Sequence, residues 1–402
     1  MTFPTPFTSL ASDEWICTWL STSQPTSGEA FPLTLEIPDI LHDQTLRQTL
    51  RISLGGRKFR LVFSNRYGTQ PMVLGESSLS VRDQVTPTDS VRITFNGYSG
   101  VTIPAGQILY SDEISLYIPS LSILSLRVYL PEPTPVTTFH WDARHFSVLE
   151  PGNQVHRKET QQGLAISSRL LLESVLVQPE NTSKSIVVIG DSMVDGNGVA
   201  MDTYRRWTDS LAERFITRNI ALVNAGQSGS RLLKEGIGIS TLSRFERDVL
   251  RQPGVTACIV QVGLNDLGLA GTALDPEGLT PTAEMLISAY RQLLDKARQH
   301  NIRLTGVTLV PLRGVDEYGL AHFYQPDKET IRQQVNHWMR TSGEFDAVID
   351  SDILVRRADC HQQLEPQFDS GDHLHLNHKG HLLIAEAISL EAILGEKSLP
   401  IK

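Results

Sequence analysis

Read as a pattern of apolar and polar positions, the chain changes character once. From Trp15 to about Asn153 it runs in short alternating segments separated by turn residues. Segments 46–54, 59–64, 91–95, 114–118 and 124–130 each predict a strand, with Gly55-Gly56, Asn96-Gly97, Pro104-Ala105-Gly106 and Pro131-Glu132-Pro133 between them. No helical period recurs in this half. Many short strands with frequent turn signals predict a β-sandwich, jelly-roll-like in character.

After residue 185 strands and helices alternate. Ile186, Val187, Val188 and Ile189 are four branched apolar residues in a row, which predicts a buried strand. Trp207, Leu211 and Phe215 then fall on one face of a predicted helix over 205–218. Strands follow at 220–223, 255–262, 303–310 and 347–350. Helices follow at 242–250, from a Thr280-Pro281 cap to about residue 300, at 329–340, and at 377–394. This order demands a mainly parallel sheet covered by helices on both faces, a three-layer α/β/α domain. Between the two halves lie a basic, Gln-rich piece and a predicted strand at 170–177. The expected division is a sandwich module at 1–155, a linker with a connecting strand at 156–184, and an α/β domain at 185–402.

Composition narrows the partners. The 402 residues are 40% hydrophobic and 20% charged, which is enough to bury substantial cores. A net charge of −9 and a pI near 5.8 oppose non-specific binding to nucleic acid or anionic membrane. Three cysteines, Cys17, Cys258 and Cys360, have no metal-type spacing and imply no disulfide framework. Met1 to Ser12 lacks a basic stretch followed by an apolar one, and no apolar run is long enough to span a membrane, so a cytoplasmic protein is expected. The oligomeric state is left open.

The chemistry gathers in four loops. Gly190-Asp191-Ser192 turns off the end of the strand 186–189. Asn224 to Gly229 follows strand 220–223, Gly263-Leu264-Asn265-Asp266 follows strand 255–262, and Asp372-His373-Leu374-His375 precedes the last helix. Loops at the carboxyl ends of parallel strands open on one crevice. Acyl transfer through serine needs a base for the hydroxyl proton, a carboxylate that orients the base, and N–H donors for the oxyanion. Asp372 and His375, three residues apart, suit the first two roles for Ser192. The backbone N–H groups of Ser192 and Gly229 and the side-chain amide of Asn265 suit the third. Val194 stands where an α/β-hydrolase elbow needs glycine, which disfavours that fold.

Other readings compete. His373, His375, His378 and His381 cluster as a metal site would, yet no carboxylate-rich motif accompanies them, and neither a metal nor a cofactor is expected. His140 or His145 are alternative bases. Asp346, Asp350 and Asp352 are alternative acids, disfavoured by their place after an earlier strand. Tyr67, Tyr98, Trp141 and Phe146 fit a sugar-stacking platform or, as the favoured reading, the filling of a core or interface.

Taken together, Gly190-Asp191-Ser192, Gly229, Gly263-x-Asn265-Asp266 and Asp372-x-x-His375 have the order and spacing of the SGNH, or GDSL, hydrolases, and the chain resembles that family over about 200 residues. The resemblance implies Ser192 as nucleophile, His375 as general base and acid, Asp372 as its partner, and Ser192, Gly229 and Asn265 as the oxyanion hole. It also implies a flavodoxin-like fold from residue 185 onward. Leu54-Gly55-Gly56 and Ser64-Asn65-Arg66-Tyr67-Gly68 look like the β-rich module of a two-domain subgroup. Leu376 departs from the proline that many members carry after the histidine. The expected function is hydrolysis of short-acyl, acetyl-type esters, with a carbohydrate ester as substrate. A lipase, lysophospholipase or thioesterase acting on longer chains, and a glycan-binding protein on an inactive scaffold, are the alternatives.

Overall fold

A computed structural model describes residues 15–26, 33, 35–82, 90–157 and 162–396. The expectation drawn from Met1 to Ser12 lies outside these residues. Among the described residues, beside three smaller sheets, two large antiparallel ones dominate the first half. One joins Ile16–Leu20, Leu172–Gln178, Gly56–Ser64 and Ile108–Tyr110, with Ile114–Ile118 also on Gly56–Ser64. The other runs Leu164–Ile166, Ser147–Pro151, Gln44–Arg51, Ile123–Leu130, Ser77–Val81, Val91–Ile93. Along Gln44–Arg51, Leu46, Gln48 and Leu50 are buried while Arg47, Thr49 and Arg51 are less so, the two-residue period of a half-buried strand. Leu46, Leu50, Phe59, Phe63, Leu124 and Leu126 share one core between the sheets, which makes the module a β-sandwich. Residues 164–178, expected as part of a connecting segment, contribute strands to both sheets.

The second half is a parallel sheet of β1 (Lys184–Gly190), β2 (Ile220–Gly226), β3 (Val255–Gln261), β4 (Arg303–Val307) and β5 (Ala347–Ile349), in spatial order β2-β1-β3-β4-β5. That order is flavodoxin-like, and right-handed crossovers put the first and last helices on one face and the intervening ones on the other. The packing agrees: α2 (Trp207–Phe215) lies against α8 (His378–Ala387), and α5 (Ala283–Gln299) against α6 (Pro326–Thr341). β1 is buried on both faces from Ser185 to Gly190, which is why its sequence reads as an unbroken apolar run. Trp207, Leu211 and Phe215 lie in the core, on the face their spacing predicts.

Several boundaries differ from the sequence pattern, four of them at instructive places. The helix expected after Thr280-Pro281 begins at Ala283, because Thr282 caps it by accepting the Met285 N–H at 3.3 Å. The 377–394 segment is two helices: Ile388 turns to an extended conformation and Ser389 caps α9 (Leu390–Leu394), accepting the Ala392 N–H at 3.2 Å. The 242–250 helix is α-helical only over Thr241–Phe245 and continues as a π turn at Glu246–Leu250. β4 ends at Val307 although the apolar run continues to Val310. There the Asn336 side chain takes over the strand's polar pairing, accepting the Leu309 N–H at 2.7 Å and donating to the Leu309 carbonyl at 2.8 Å.

The halves share a continuous interface. Trp15, Cys17 and Leu20 from the sandwich belong to the same core as Ile186 to Ile189, while Ala221 of β2 is packed into the sandwich core. Hydrogen bonds cross it along its length, from Cys17 N–H to the Pro253 carbonyl (3.1 Å) and from Leu222 N–H to the Ser53 hydroxyl (3.1 Å) to the Gln24 side-chain amide on the Ile237 carbonyl (2.7 Å).

Candidate active site

At the carboxyl end of β1 the chain makes a sharp turn into α1 (Ser192–Asp195). Asp191 caps that turn, accepting the Met193 N–H at 3.0 Å, and burial pushes its carboxyl up to about 7. Gly190 is required by close approach: a Cβ there would sit 2.2 Å from the Gln261 carbonyl oxygen of β3. Ser192 therefore occupies the first helical position, where a backbone N–H has no acceptor within the helix.

The loop ahead of α8 brings Asp372 and His375. The Asp372 carboxylate accepts the backbone N–H of Leu374 (3.0 Å) and His375 (2.8 Å) and the Ser370 hydroxyl (3.0 Å). Its other oxygen lies 2.5 Å from His375 Nδ1, and His375 Nε2 lies 2.7 Å from Ser192 Oγ. With the ring proton on Nδ1, His375 donates to Asp372 and accepts from the Ser192 hydroxyl. Burial raises the Asp372 carboxyl, but the hydrogen bond and charge of His375 and the two N–H groups outweigh it and hold the acid well below the usual carboxylate range.

The residues expected to supply the other N–H donors, Gly229 and Asn265, follow two other strand ends. Gly229, three residues beyond the end of β2, has a φ of +79°, and a Cβ would lie 2.5 Å from Ile237, so glycine is needed there on both counts. Asn265, in α4 (Leu264–Gly268) just after β3, donates one amide N–H to the Ser230 carbonyl at 3.1 Å, which fixes its amide plane beside Gly229. Asp266 holds the same loop by accepting the Leu232 and Leu233 N–H groups at 2.6 and 2.9 Å. Burial pushes its carboxyl up to about 6. Ser192 and Asn265 are each 7% exposed.

The competing residues have other partners. His140 Nε2 bonds Asp195 Oδ1 at 3.0 Å, and His145 stacks on Tyr204, with ring centroids 4.5 Å apart. Asp350 pairs with Arg340 at 2.6 Å, Asp352 with Arg332 at 2.8 Å, and Asp346 accepts the Leu304 N–H at 2.8 Å. The four clustered histidines face different groups. His373 meets Asp369 at 2.5 Å, and the buried His381 accepts the Trp207 N–H at 3.1 Å and meets the Asn197 carbonyl at 3.2 Å, tying α8 to α2. Among the described residues no three His, Cys, Asp or Glu side chains gather to hold a metal. Trp141 donates to the Ser228 carbonyl at 2.9 Å and Tyr67 accepts from Arg247 at 2.9 Å, both across the interface, while Tyr98 and Phe146 are exposed.

Sequence reasoning named His140, Trp141 and His145 of the sandwich but missed Asp142 and Arg144. The Ser228 hydroxyl lies 2.9 Å from Asp195 and 3.1 Å from Asp142, and Asp195 also accepts the Ser228 N–H at 3.0 Å. Asp142 and Trp141 thus clamp the residue next to Gly229 from the sandwich side, and Asp195 holds it from α1. Arg144 reaches further and lines the open cleft beside His375, with Asn197 to Ala200 and Ser370 to Asp372 forming the other walls. The only sequence signal was a polar run, Asp142-Ala143-Arg144-His145, that strand alternation leaves unexplained.

A scan of family models matches residues 186–388 to the GDSL-like Lipase/Acylhydrolase family. The chain belongs to this family and is a carboxylic ester hydrolase. No curated protein matches it. Solved structures similar to part of this chain include a lipolytic protein of the G-D-S-L family from Desulfitobacterium hafniense DCB-2. It is 21% identical with a TM-score of 0.38, and the match covers 51% of this chain and 97% of that one. Est24, a carbohydrate acetylesterase from Sinorhizobium meliloti, is 14% identical with a TM-score of 0.40, over 51% and 95%. The acetyl xylan esterase AlAXEase is 17% identical with a TM-score of 0.38, over 50% and 96%. Among the described residues no helix is long and apolar enough to cross a membrane.

Proposed function

We propose that the chain hydrolyses short-acyl esters, acetyl esters of carbohydrates foremost, through an acyl-enzyme on Ser192. The observation that carries this is the unbroken line from Asp372 through His375 to Ser192 Oγ, at 2.5 and 2.7 Å, opening on a cleft. Ser192 Oγ attacks the ester carbonyl carbon while His375 Nε2 takes the hydroxyl proton, and Asp372 stabilises the imidazolium. The oxyanion is received by the N–H groups of Ser192 and Gly229 and by the free amide N–H of Asn265. As the intermediate collapses, His375 returns the proton to the departing alcohol oxygen. Water, deprotonated by His375, then attacks the acyl carbon and releases the carboxylic acid and Ser192.

The cleft supports the choice of substrate. It is a shallow depression of about 700 Å³ with Arg144, Asn197, Ser370 and Asp372 among its walls. Such a surface offers hydrogen bonds to a hydroxyl-rich alcohol and no long apolar channel for an acyl chain. The test is an acyl-length series of p-nitrophenyl esters from acetate to palmitate, run beside acetylated sugars. The expected result is highest kcat/KM at acetate and turnover of at least one acetylated sugar. A maximum at eight carbons or more would favour the long-chain reading and overturn this one.

Asn265→Ala is expected to lower kcat on p-nitrophenyl acetate by about 10²–10³-fold with little change in KM, because its N–H acts on charge that exists only in the transition state. Steady-state kinetics check this, and an unchanged kcat would remove Asn265 from the oxyanion hole.

A further inference from the structure

Between the two halves, with Asp195 of α1 in its lining, lies a partly open cavity of about 60 Å³. Arg51, His145 and Arg169 line it from the sandwich, and Tyr204, Arg206 and Asp209 from the hydrolase half. Three side-chain nitrogens there meet no hydrogen-bond partner among the described residues: Arg169 Nη1, Arg206 Nε and His145 Nε2, the last a donor in the Nε2–H tautomer. Arg169 is 5% exposed and His145 3%. An unsatisfied buried donor is costly, and an unpaired buried cation more so.

Most charges around the cavity are matched, and Asp202 lies 3.6 Å from His145 Nδ1, but one guanidinium has no carboxylate in contact. Arg51 pairs with Glu213 at 2.6 Å, and His140 with Asp195 at 3.0 Å. Asp195 also lines the cavity, but both of its oxygens are occupied by His140 and Ser228. Asp209 offsets Arg206, whose backbone N–H it accepts at 3.0 Å. Arg169 stacks over Trp19 at 5.2 Å and donates Nη2 to the Thr49 carbonyl at 2.6 Å, yet no described carboxylate pairs with it. Burial and the neighbouring Arg206, Arg169 and Arg144 push His145 down to about 2, so it meets the cavity as a neutral ring.

We propose that this cavity is a binding site for one small monovalent anion of the halide class, held by Arg169 Nη1, His145 Nε2 and Arg206 Nε. The volume takes a halide with a companion water and excludes a sugar or a nucleotide, since one water needs roughly 10–15 Å³ on the same measure. One guanidinium without a carboxylate in contact, with Asp195, Asp202 and Asp209 nearby, favours one negative charge over a dianion. The bound anion joins Arg169 of the sandwich to Arg206 of the hydrolase half, so it stabilises their association.

The test uses bromide, with gluconate, too large for the cavity, holding ionic strength constant. Wild-type protein is expected to melt about 2–4 °C higher in bromide, with a saturating dependence on its concentration. Arg169→Met is expected to remove that dependence. Crystals of the wild type soaked in bromide should show an anomalous peak within hydrogen-bond reach of Arg169 Nη1 and His145 Nε2. This measurement needs no variant and stands even if Arg169→Met fails to fold. Equal melting in the two salts, or a cavity holding water alone without an anomalous peak, overturns the proposal.

Discussion

Ser192→Ala is expected to lower turnover of p-nitrophenyl acetate by roughly 10⁴-fold or more and to abolish any burst of p-nitrophenol. The substitution deletes the one oxygen that His375 Nε2 contacts at 2.7 Å and leaves the Ser192 N–H, Gly229 and Asn265 in place. What remains is an oxyanion site without a nucleophile. The hydroxyl bonds only His375 among the described residues, so the melting temperature should hardly move, which separates lost chemistry from lost folding. Equal rates for wild type and variant would sink the acyl-enzyme reading and favour a binding protein on a hydrolase scaffold.

Asp372→Asn is expected to cost about 10⁴-fold in kcat, by the logic of the serine-protease triad, in which an amide in place of the carboxylate stabilises the wrong histidine tautomer. Asp372 accepts from His375 Nδ1, two backbone N–H groups and Ser370, all acceptor roles that suit a carboxylate. An amide nitrogen in either position must face a donor. Asp350→Asn serves as control, since Asp350 is committed to Arg340, and it should leave kcat nearly unchanged. Loss of activity in Asp350→Asn but not in Asp372→Asn would reassign the acid. The folded Asp372 carboxyl titrates below its unfolded value of roughly 3.9, so its stabilising effect is present above that pH and is lost as pH falls through the folded value.

The site's skeleton was legible because its signals are local. A branched apolar run ending in Gly190-Asp191-Ser192 announces a strand and a sharp turn. Gly229 and Asn265 sit just past two further strands, so parallel-sheet geometry alone brings them to one rim. Asp372 and His375 are close enough in sequence for a single turn to aim one at the other. What the pattern hid is held by pairings across long separations. His140 finds Asp195 from 55 positions away, and Trp141 finds Ser228 from 87. A loop residue such as Arg144 carries no period that reveals where it points. The broken last helix was hidden for a different reason: Ile388 and Ser389 continue the apolar rhythm, and only the capping bond of Ser389 shows the restart.

The sandwich sheet that places Ile16–Leu20 against Leu172–Gln178, itself paired with Gly56–Ser64, governs how the protein is made. Its central strand is the last to leave the ribosome, so the sandwich stays open until residue 178 has been synthesised. Only residues 179–183 then separate it from β1, which carries the candidate nucleophile at its tip. A gene cut at residue 155 would give a first fragment with a bare sheet edge, exposed to pairing with other chains, and a second that begins with the missing strand. Split-gene and domain-swap designs should cut between 179 and 183, and even there the two products will need each other to bury Trp15, Cys17 and Ala221.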